Sequence, residues 1–204
     1  MAAGAEASDR LFVAVLLPAG VREALGELIE RGKQKGTDVR WTRKENLHIT
    51  LKFLGDVRRD GIPHLIESLK ETAAQRDAFH VTVQGLGAFP SAGRPRVLWA
   101  GIAEGTHKLE SLAAAVEGTL RPLGFGNEER FSGHITLGRL RRPEPALWFR
   151  EWSAQERMEP LKVRVESFWL MKSTLTPAGP RYEALAEFAL GSGAETRSGR
   201  GAEE

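Results

Sequence analysis

A strand–helix–strand unit occurs twice in this chain, and this repeat constrains the fold more than any other feature. An apolar run begins at Leu11, and 37 residues later (48 − 11) His48 starts the tetrapeptide His-Ile-Thr-Leu. A second apolar run begins at Val97, and 37 residues later (134 − 97) His134 starts the same tetrapeptide. One offset of 86 residues (134 − 48) therefore superimposes the two units. The repeat predicts two halves related by a pseudo-twofold axis, with the tetrapeptides facing each other across it.

Hydrophobic periodicity predicts the remaining elements as strands alternating with helices. The predicted strands are residues 11–17, 47–54, 79–83, 96–102 and 131–137, followed by a closing hairpin of 161–175 and 182–190. The predicted helices are residues 18–32, 62–76 and 109–120, with a short helix at 145–152.

Length and composition fit one ordinary domain or two small lobes, since 204 residues with 41% hydrophobic and 27% charged side chains are typical of globular proteins. The longest apolar run, residues 11–17, is far shorter than the roughly 20 residues of a membrane helix. Neither a secretory signal nor a cysteine is present. We therefore expect a cytoplasmic monomer, with one bilobal domain at 10–190 between disordered ends at 1–9 and 191–204.

Basic residues are clustered, although the net charge of +2 is too small to indicate a nucleic-acid partner. Between residues 31 and 44 a single acid, Asp38, accompanies six basic residues: Arg31, Lys33, Lys35, Arg40, Arg43 and Lys44. A second cluster is Arg139, Arg141 and Arg142. Such clusters suit a polyanion, and an ordinary solvated surface is the competing interpretation.

Three His-x-Thr sequences occur, and two of them lie in the repeated unit. The third, at His80, has no strand 37 residues upstream and falls on the outer face of a half-buried strand, which favours a surface role. Around the first copy, alternation puts His48, Thr50 and Lys52 on one face of the strand and Phe53 on the apolar face.

His134 and Thr136 project from their strand in the same way, so the two units bring two imidazoles and two hydroxyls together. One neutral and one protonated imidazole can act as general base and general acid on opposite sides of a phosphorus atom. Threonine hydroxyls can hold the non-bridging oxygens as charge develops there. Two histidines without a third ligand at a suitable spacing do not predict a metal site.

With these motifs the chain resembles the 2H phosphoesterases, and within them the RNA 2′,3′-cyclic phosphodiesterase branch, also called 2′-5′ RNA ligase-like or LigT-like. The resemblance extends over about residues 10–190, and beyond the tetrapeptides it is carried by residues 10–14, 45–47, 52–55, 95–99 and 171–182. It implies an α+β, duplicated two-lobe fold of two mainly antiparallel sheets, with helices outside and the active cleft between the sheets.

The resemblance also implies a reaction and its residues. His48 would be the proton donor and His134 the proton acceptor in opening RNA 2′,3′-cyclic phosphate ends, tRNA fragments among them, to 2′-phosphomonoesters. Reverse 2′-5′ ligation would be a side reaction. Thr50, Thr136 and Arg139 would bind the phosphate, without metal or cofactor. Strict alternation puts Arg139 on the face opposite His134, so its role requires a bulge or a strand end near Gly138.

Two other functions stay open at this point. The same chemistry could serve small cyclic nucleotides or 2′-5′ oligonucleotides. A non-catalytic module that binds RNA or nucleotides is the alternative from another class, and intact histidines in both motifs disfavour it.

Overall fold

Nine strands and four helices make up the computed structural model, which describes residues 7–35, 38–126, 131–142, 147–177 and 179–191. The strands are β1 Ser8–Leu16, β2 Val39–Trp41, β3 His48–Arg58, β4 Phe79–Phe89, β5 Val97–Glu104, β6 His134–Leu140, β7 Leu161–Val165, β8 Ser167–Thr176 and β9 Gly179–Ala189. The helices are α1 Ala19–Lys33, α2 Ile62–Ala74, α3 Thr106–Leu120 and α4 Leu147–Gln155. Single 3₁₀ turns cover Lys44–Asn46, Arg59–Gly61 and Arg121–Leu123.

The strands form one sheet in the order β7-β4-β5-β6-β3-β1-β8-β9, with β2 paired to β6, and all of these pairs are antiparallel. Each half contributes four strands to this order, β6-β5-β4-β7 and β3-β1-β8-β9. The halves join where Ile49 of β3 pairs with Ile135 of β6. The α+β class and the duplication are confirmed, and the two expected sheets are continuous through this junction.

The register of the strands repeats between the halves with a displacement of one residue, since the first strands correspond at an offset of 85 (100 − 15) and the second strands at an offset of 86 (135 − 49). Val15 of β1 pairs with Ile49, and Ala100 of β5 pairs with Ile135. The helix after each of these first strands, α1 and α3, has 15 residues. The same local sequence pattern therefore builds the same strand–helix–strand geometry twice.

One face of the sheet forms the main hydrophobic core with the helices. Ile49 and Ile135 are fully buried on this face, together with one or more residues from every helix, among them Leu25, Leu65, Leu109 and Phe149. The opposite face, which we call the open face, carries both tetrapeptide histidines. Side chains alternate along each strand, so burying the isoleucines directs the histidines and threonines to the open face.

The structure adds a strand that the sequence pattern does not predict, β2, and extends the predicted strands 47–54 and 79–83 to Arg58 and Phe89. The predicted strand 161–175 is two strands separated by Glu166, because β7 pairs with β4 in one half and β8 pairs with β1 in the other. Ser8 and Asp9 belong to β1 rather than to a disordered end. Gly191 exchanges backbone hydrogen bonds with the chain at Arg76 and Ala78. The rest of the predicted ends, 1–6 and 192–204, lies outside the described residues.

Within the described ranges, no helix is long and apolar enough to cross a membrane.

Candidate active site

His48 and His134 lie on either side of the junction between the halves. Both precede the isoleucines that pair there, and the strands run in opposite directions. Extending this antiparallel register by one residue directs each histidine toward the threonine of the other motif, Thr136 for His48 and Thr50 for His134. The positive charge of His134 lowers the pKa of His48, as expected for neighbouring imidazoles. The fold thus brings together the two motifs predicted from the repeat.

The same backbone contact holds both imidazoles. Nδ1 of His48 lies 2.7 Å from the carbonyl oxygen of Asn46, and Nδ1 of His134 lies 2.7 Å from that of Ser132. A carbonyl oxygen has no proton to give, so Nδ1 is the donor in both rings. In a neutral ring the lone pair is then on Nε2, which is the nitrogen left to exchange a proton with a substrate.

Asn46 connects His48 to β9, the edge strand of the same half, through two hydrogen bonds. Its side-chain amide donates a 2.9 Å hydrogen bond to the carbonyl oxygen of Pro180 in β9. Its own carbonyl is the acceptor for His48, at the end of the 3₁₀ turn Lys44–Asn46. The ring of His48 is therefore oriented by both the turn and the β8–β9 hairpin.

Thr50 contacts the reactive nitrogen of its own motif, since its hydroxyl oxygen lies 3.0 Å from Nε2 of His48. The hydroxyl donates to a neutral ring and accepts from a protonated one. Thr136, like Thr50, is half-buried on the open face. Both predicted threonines therefore lie beside the imidazoles, in positions from which they could reach phosphate oxygens.

Aromatic rings surround each histidine, which the sequence patterns did not predict. Phe12 and Tyr182 lie 5.0 and 5.3 Å from the ring of His48, measured between centroids. Phe89 lies 5.0 Å from the ring of His134, almost perpendicular to it. Burial among these rings is the main cause that lowers the pKa of both histidines from the usual 6.5. Their positions on neighbouring strands are visible only once the register is known.

A bulge in β6 brings Arg139 to the open face, as its predicted role required. Leu98 pairs with Gly138 and Trp99 pairs with Thr136, so Leu137 is an extra residue. Arg139 is exposed, and its charge adds to the burial that lowers the pKa of His134 and partly offsets the burial that raises the pKa of Tyr182.

Glycine is required within this bulge at position 138. A Cβ atom there would lie 2.7 Å from the side chain of Val39 in β2, closer than two carbon atoms can approach. Gly138 therefore lets β2 pack against the core side of β6 while Arg139 turns to the open face.

An equivalent bulge in β3 overturns the predicted positions of Lys52 and Phe53. Thr50 pairs with Ala14 and Lys52 with Val13, so Leu51 is the extra residue. Lys52 turns to the core side, where its side chain is 2% exposed and pairs with Glu117 of α3. Phe53, predicted to be in the core, is 61% exposed on the open face. Alternation fails here because one inserted residue reverses the faces of those that follow.

The remaining candidates have ordinary structural surroundings. His80 is exposed on β4, opposite Arg164 of β7, which agrees with its predicted surface role. Trp41 packs edge-on against Trp152, with centroids 6.1 Å apart, and therefore belongs to the packing of the core side. Among the described residues, no group of three or more His, Cys, Asp and Glu side chains could hold a metal ion.

Half of the basic run at 31–44 is neutralised by ion pairs. Three of its six cations lie within 2.8 Å of a carboxylate: Arg31 with Glu156, Lys33 with Glu30 and Lys44 with Glu23. For these side chains the solvated-surface interpretation is the better one. Arg40 differs from them, because its register partner across β2 and β6 is another cation, Arg139.

Comparison with known proteins agrees with this geometry. The family model described as LigT-like phosphoesterase matches residues 15–99 and 101–182. The chain is 38% identical over 181 residues to an RNA 2′,3′-cyclic phosphodiesterase of Archaeoglobus fulgidus, covering 88% of this chain and 99% of the relative. It is 35% identical over 178 residues to the protein of the same name from Thermotoga maritima, covering 87% and 94%.

Solved structures show the same fold. The crystal structure of TT0787 of Thermus thermophilus superimposes with a TM-score of 0.75 at 30% identity, covering 90% of this chain and 99% of that one. Escherichia coli LigT complexed with 3′-AMP superimposes with a TM-score of 0.71 at 28% identity, again covering 90% and 99%. The two-half architecture is therefore shared over nearly the whole length of these proteins.

Proposed function

Since the chain belongs to the LigT-like phosphoesterase family and is a cyclic phosphodiesterase, we propose that it opens RNA 2′,3′-cyclic phosphate ends to 2′-phosphomonoesters. The observation that carries the proposal is the pair of imidazoles at the Ile49–Ile135 junction. Each has Nδ1 held by a backbone carbonyl, which leaves Nε2 to exchange a proton. Curated relatives named RNA 2′,3′-cyclic phosphodiesterase support the substrate class. The E. coli relative's complex with 3′-AMP supports a nucleotide as the ligand.

In the proposed mechanism His134 is the base and His48 the acid. Nε2 of His134 takes a proton from a water molecule while the water oxygen forms a bond to phosphorus. The bond from phosphorus to the 3′-oxygen breaks, and that oxygen receives the proton from Nε2 of His48. One water is consumed, and the products are a 2′-phosphate and a free 3′-hydroxyl. Proton exchange with solvent then restores both rings.

The surroundings of the two rings support this assignment of roles. Burial lowers the pKa of His134, and the charge of Arg139 lowers it further, so both favour the neutral ring that a base must have. Phe53 occupies the equivalent position in the other half and brings no charge near His48. The symmetric repeat thus contains one asymmetric pair of neighbours, and it favours the neutral form of His134, which is the form that a general base needs.

Phosphate binding in this mechanism involves Thr50, Thr136 and Arg139. The two hydroxyls and the guanidinium fork can donate hydrogen bonds to the non-bridging oxygens, which gain charge in the transition state. Ligation follows if the 5′-hydroxyl of a second RNA replaces water as the nucleophile, and its product is a 2′-5′ phosphodiester. The two proton transfers are the same in both reactions.

The test is a short RNA ending in a 2′,3′-cyclic phosphate, incubated with the protein in EDTA, with the phosphate position of the product identified by ³¹P NMR. We expect a 2′-phosphomonoester. A 3′-phosphate would retain the chemistry of the two histidines but reverse the substrate in the site. The absence of any product from correctly folded protein would overturn the proposal.

A further inference from the structure

Arg40 and Arg139 form a pair of cations that the chain brings together from its two basic clusters. They lie 99 positions apart in sequence (139 − 40) and directly opposite each other in the β2–β6 ladder. Directly opposed residues of antiparallel strands share a face, with Cα atoms about 4.5–5.5 Å apart. Both side chains are exposed. Two arginine side chains therefore project from adjacent positions on the open face.

This pair has no compensating acid in the described part of the chain. There, no carboxylate lies within ion-pair distance of either guanidinium, whereas Arg31, Lys33 and Lys44 of the same basic run all have one. Like charges placed directly opposite each other on neighbouring strands destabilise a sheet. A bound anion would relieve that repulsion.

The pair is aligned with the candidate active site. Arg139 pairs with Val97 of β5, which pairs with Phe89 of β4, and the ring of Phe89 contacts His134. Arg139 also acts electrostatically on His134. β2 pairs with the same edge of β6 as β3 does, farther along β6, so Arg40 and Arg139 occupy adjacent positions beyond the two histidines on the open face.

Arg40 also reaches the other half of the sheet. A Cβ atom at Gly179 would lie 4.0 Å from Nη2 of Arg40. Gly179 begins β9, one residue before the carbonyl of Pro180 that Asn46 holds. The guanidinium of Arg40 therefore lies at the rim of the open face, near the hairpin that helps to orient His48.

We propose that Arg40 binds the phosphate on the 5′ side of the terminal nucleotide, while Arg139 serves the cyclic phosphate. This inference rests on the proposed function and extends it from the reacting phosphate to its neighbour in the RNA backbone. Adjacent guanidinium groups match adjacent phosphates of one strand, and arginine forks bind phosphate oxygens in pairs. The enzyme then favours 2′,3′-cyclic phosphates that carry a 5′-phosphate over those that lack one.

Two substrates that differ by a single group test the inference: adenosine 2′,3′-cyclic phosphate and its 5′-phosphorylated form. We expect the wild type to have a kcat/KM about tenfold higher on the 5′-phosphorylated substrate, as one charge-assisted contact would give. Arg40→Gln should reduce this ratio to near one, and Arg40→Lys should retain part of it. Arg150→Gln, which removes the same charge from an exposed position on α4, should keep the full ratio.

The salt dependence provides a second readout that a purely structural role would not change. Arg40→Gln should make the slope of log affinity against log salt less negative by about 0.7 for a short single-stranded RNA. A wild-type ratio near one, or a ratio that survives Arg40→Gln in folded protein, would overturn the inference and leave the proposed function intact. Failure of the wild type to open either substrate or any RNA end would overturn both.

Discussion

Phe53 and Arg139 occupy equivalent positions in the two halves, each five residues after its histidine and each just beyond a one-residue bulge. One half therefore presents an exposed aromatic ring against Phe12, which contacts His48, and the other presents a cation that acts electrostatically on His134. Both tetrapeptides have the same sequence, so this difference makes two equivalent imidazoles chemically unequal. It supports the separate acid and base roles proposed above, which the resemblance to the 2H phosphoesterases implies.

Replacing either histidine by alanine should reduce kcat by about 10²–10⁴, because each removes one of two proton transfers. His80→Ala is the matched control, since it is the third His-x-Thr histidine and lies exposed on β4. The double variant of His48 and His134 should lose little more than the single variants, as for groups that act as a unit. Single-turnover rates with one cyclic-phosphate RNA, together with RNA affinity, check this. A wild-type rate in either single variant would remove that histidine from the mechanism.

Removing the charge of Arg139 should shift the pH profile of kcat/KM. Arg139 lowers the pKa of His134, so Arg139→Gln should raise it. A general base must be deprotonated, and activity increases as the pH rises through its pKa. The acidic limb of the profile should therefore move to higher pH in Arg139→Gln and stay in place in Arg139→Lys. The limbs belong to the coupled pair of imidazoles, so the comparison between variants is the informative measurement. An unmoved acidic limb in Arg139→Gln would show that this charge does not tune the base.

Phe53→Ala should weaken nucleotide binding without destabilising the fold. The ring is 61% exposed and packs against Phe12, which contacts His48, so a base can stack on it, and stacking contributes about 1–3 kcal/mol per base. We expect a rise in KM of roughly 5- to 150-fold. Leu147→Ala removes an equally exposed apolar side chain on α4 and should change neither KM nor stability. A lower melting temperature with unchanged KM would instead assign Phe53 to packing.

Lys52→Met should destabilise the protein while leaving the chemistry intact, contrary to the position that alternation predicts for Lys52. Its side chain is 2% exposed and pairs with Glu117, and breaking a buried ion pair costs about 3–5 kcal/mol. In a protein of this size that corresponds to a melting temperature lower by roughly 6–20 °C. Lys70→Met breaks an exposed pair with Glu67 and should cost less than about 1 kcal/mol. Equal thermal shifts in the two variants would contradict the buried role of Lys52.

The sequence was sufficient for the features that depend on local pattern. The offset of 86 residues predicted that the two tetrapeptides face each other, and the pairing of Ile49 with Ile135 confirms it. Alternation around His48 and His134 placed both rings opposite the buried isoleucines, because a strand has a strict period of two. These features follow from which residues are apolar and how they are spaced along the chain.

Only the tertiary structure decided where that period is interrupted and which distant residues meet. A bulge depends on how two strands pair, so alternation within one strand could not show that Lys52 turns inward and Phe53 outward. The pairing of Arg40 with Arg139 likewise depends on β2 joining β6, two segments 99 positions apart (139 − 40). The sequence by itself determined the two catalytic candidates and the fold that brings them together. The strand register is a property of the whole sheet, and it decided which side chains surround His48 and His134.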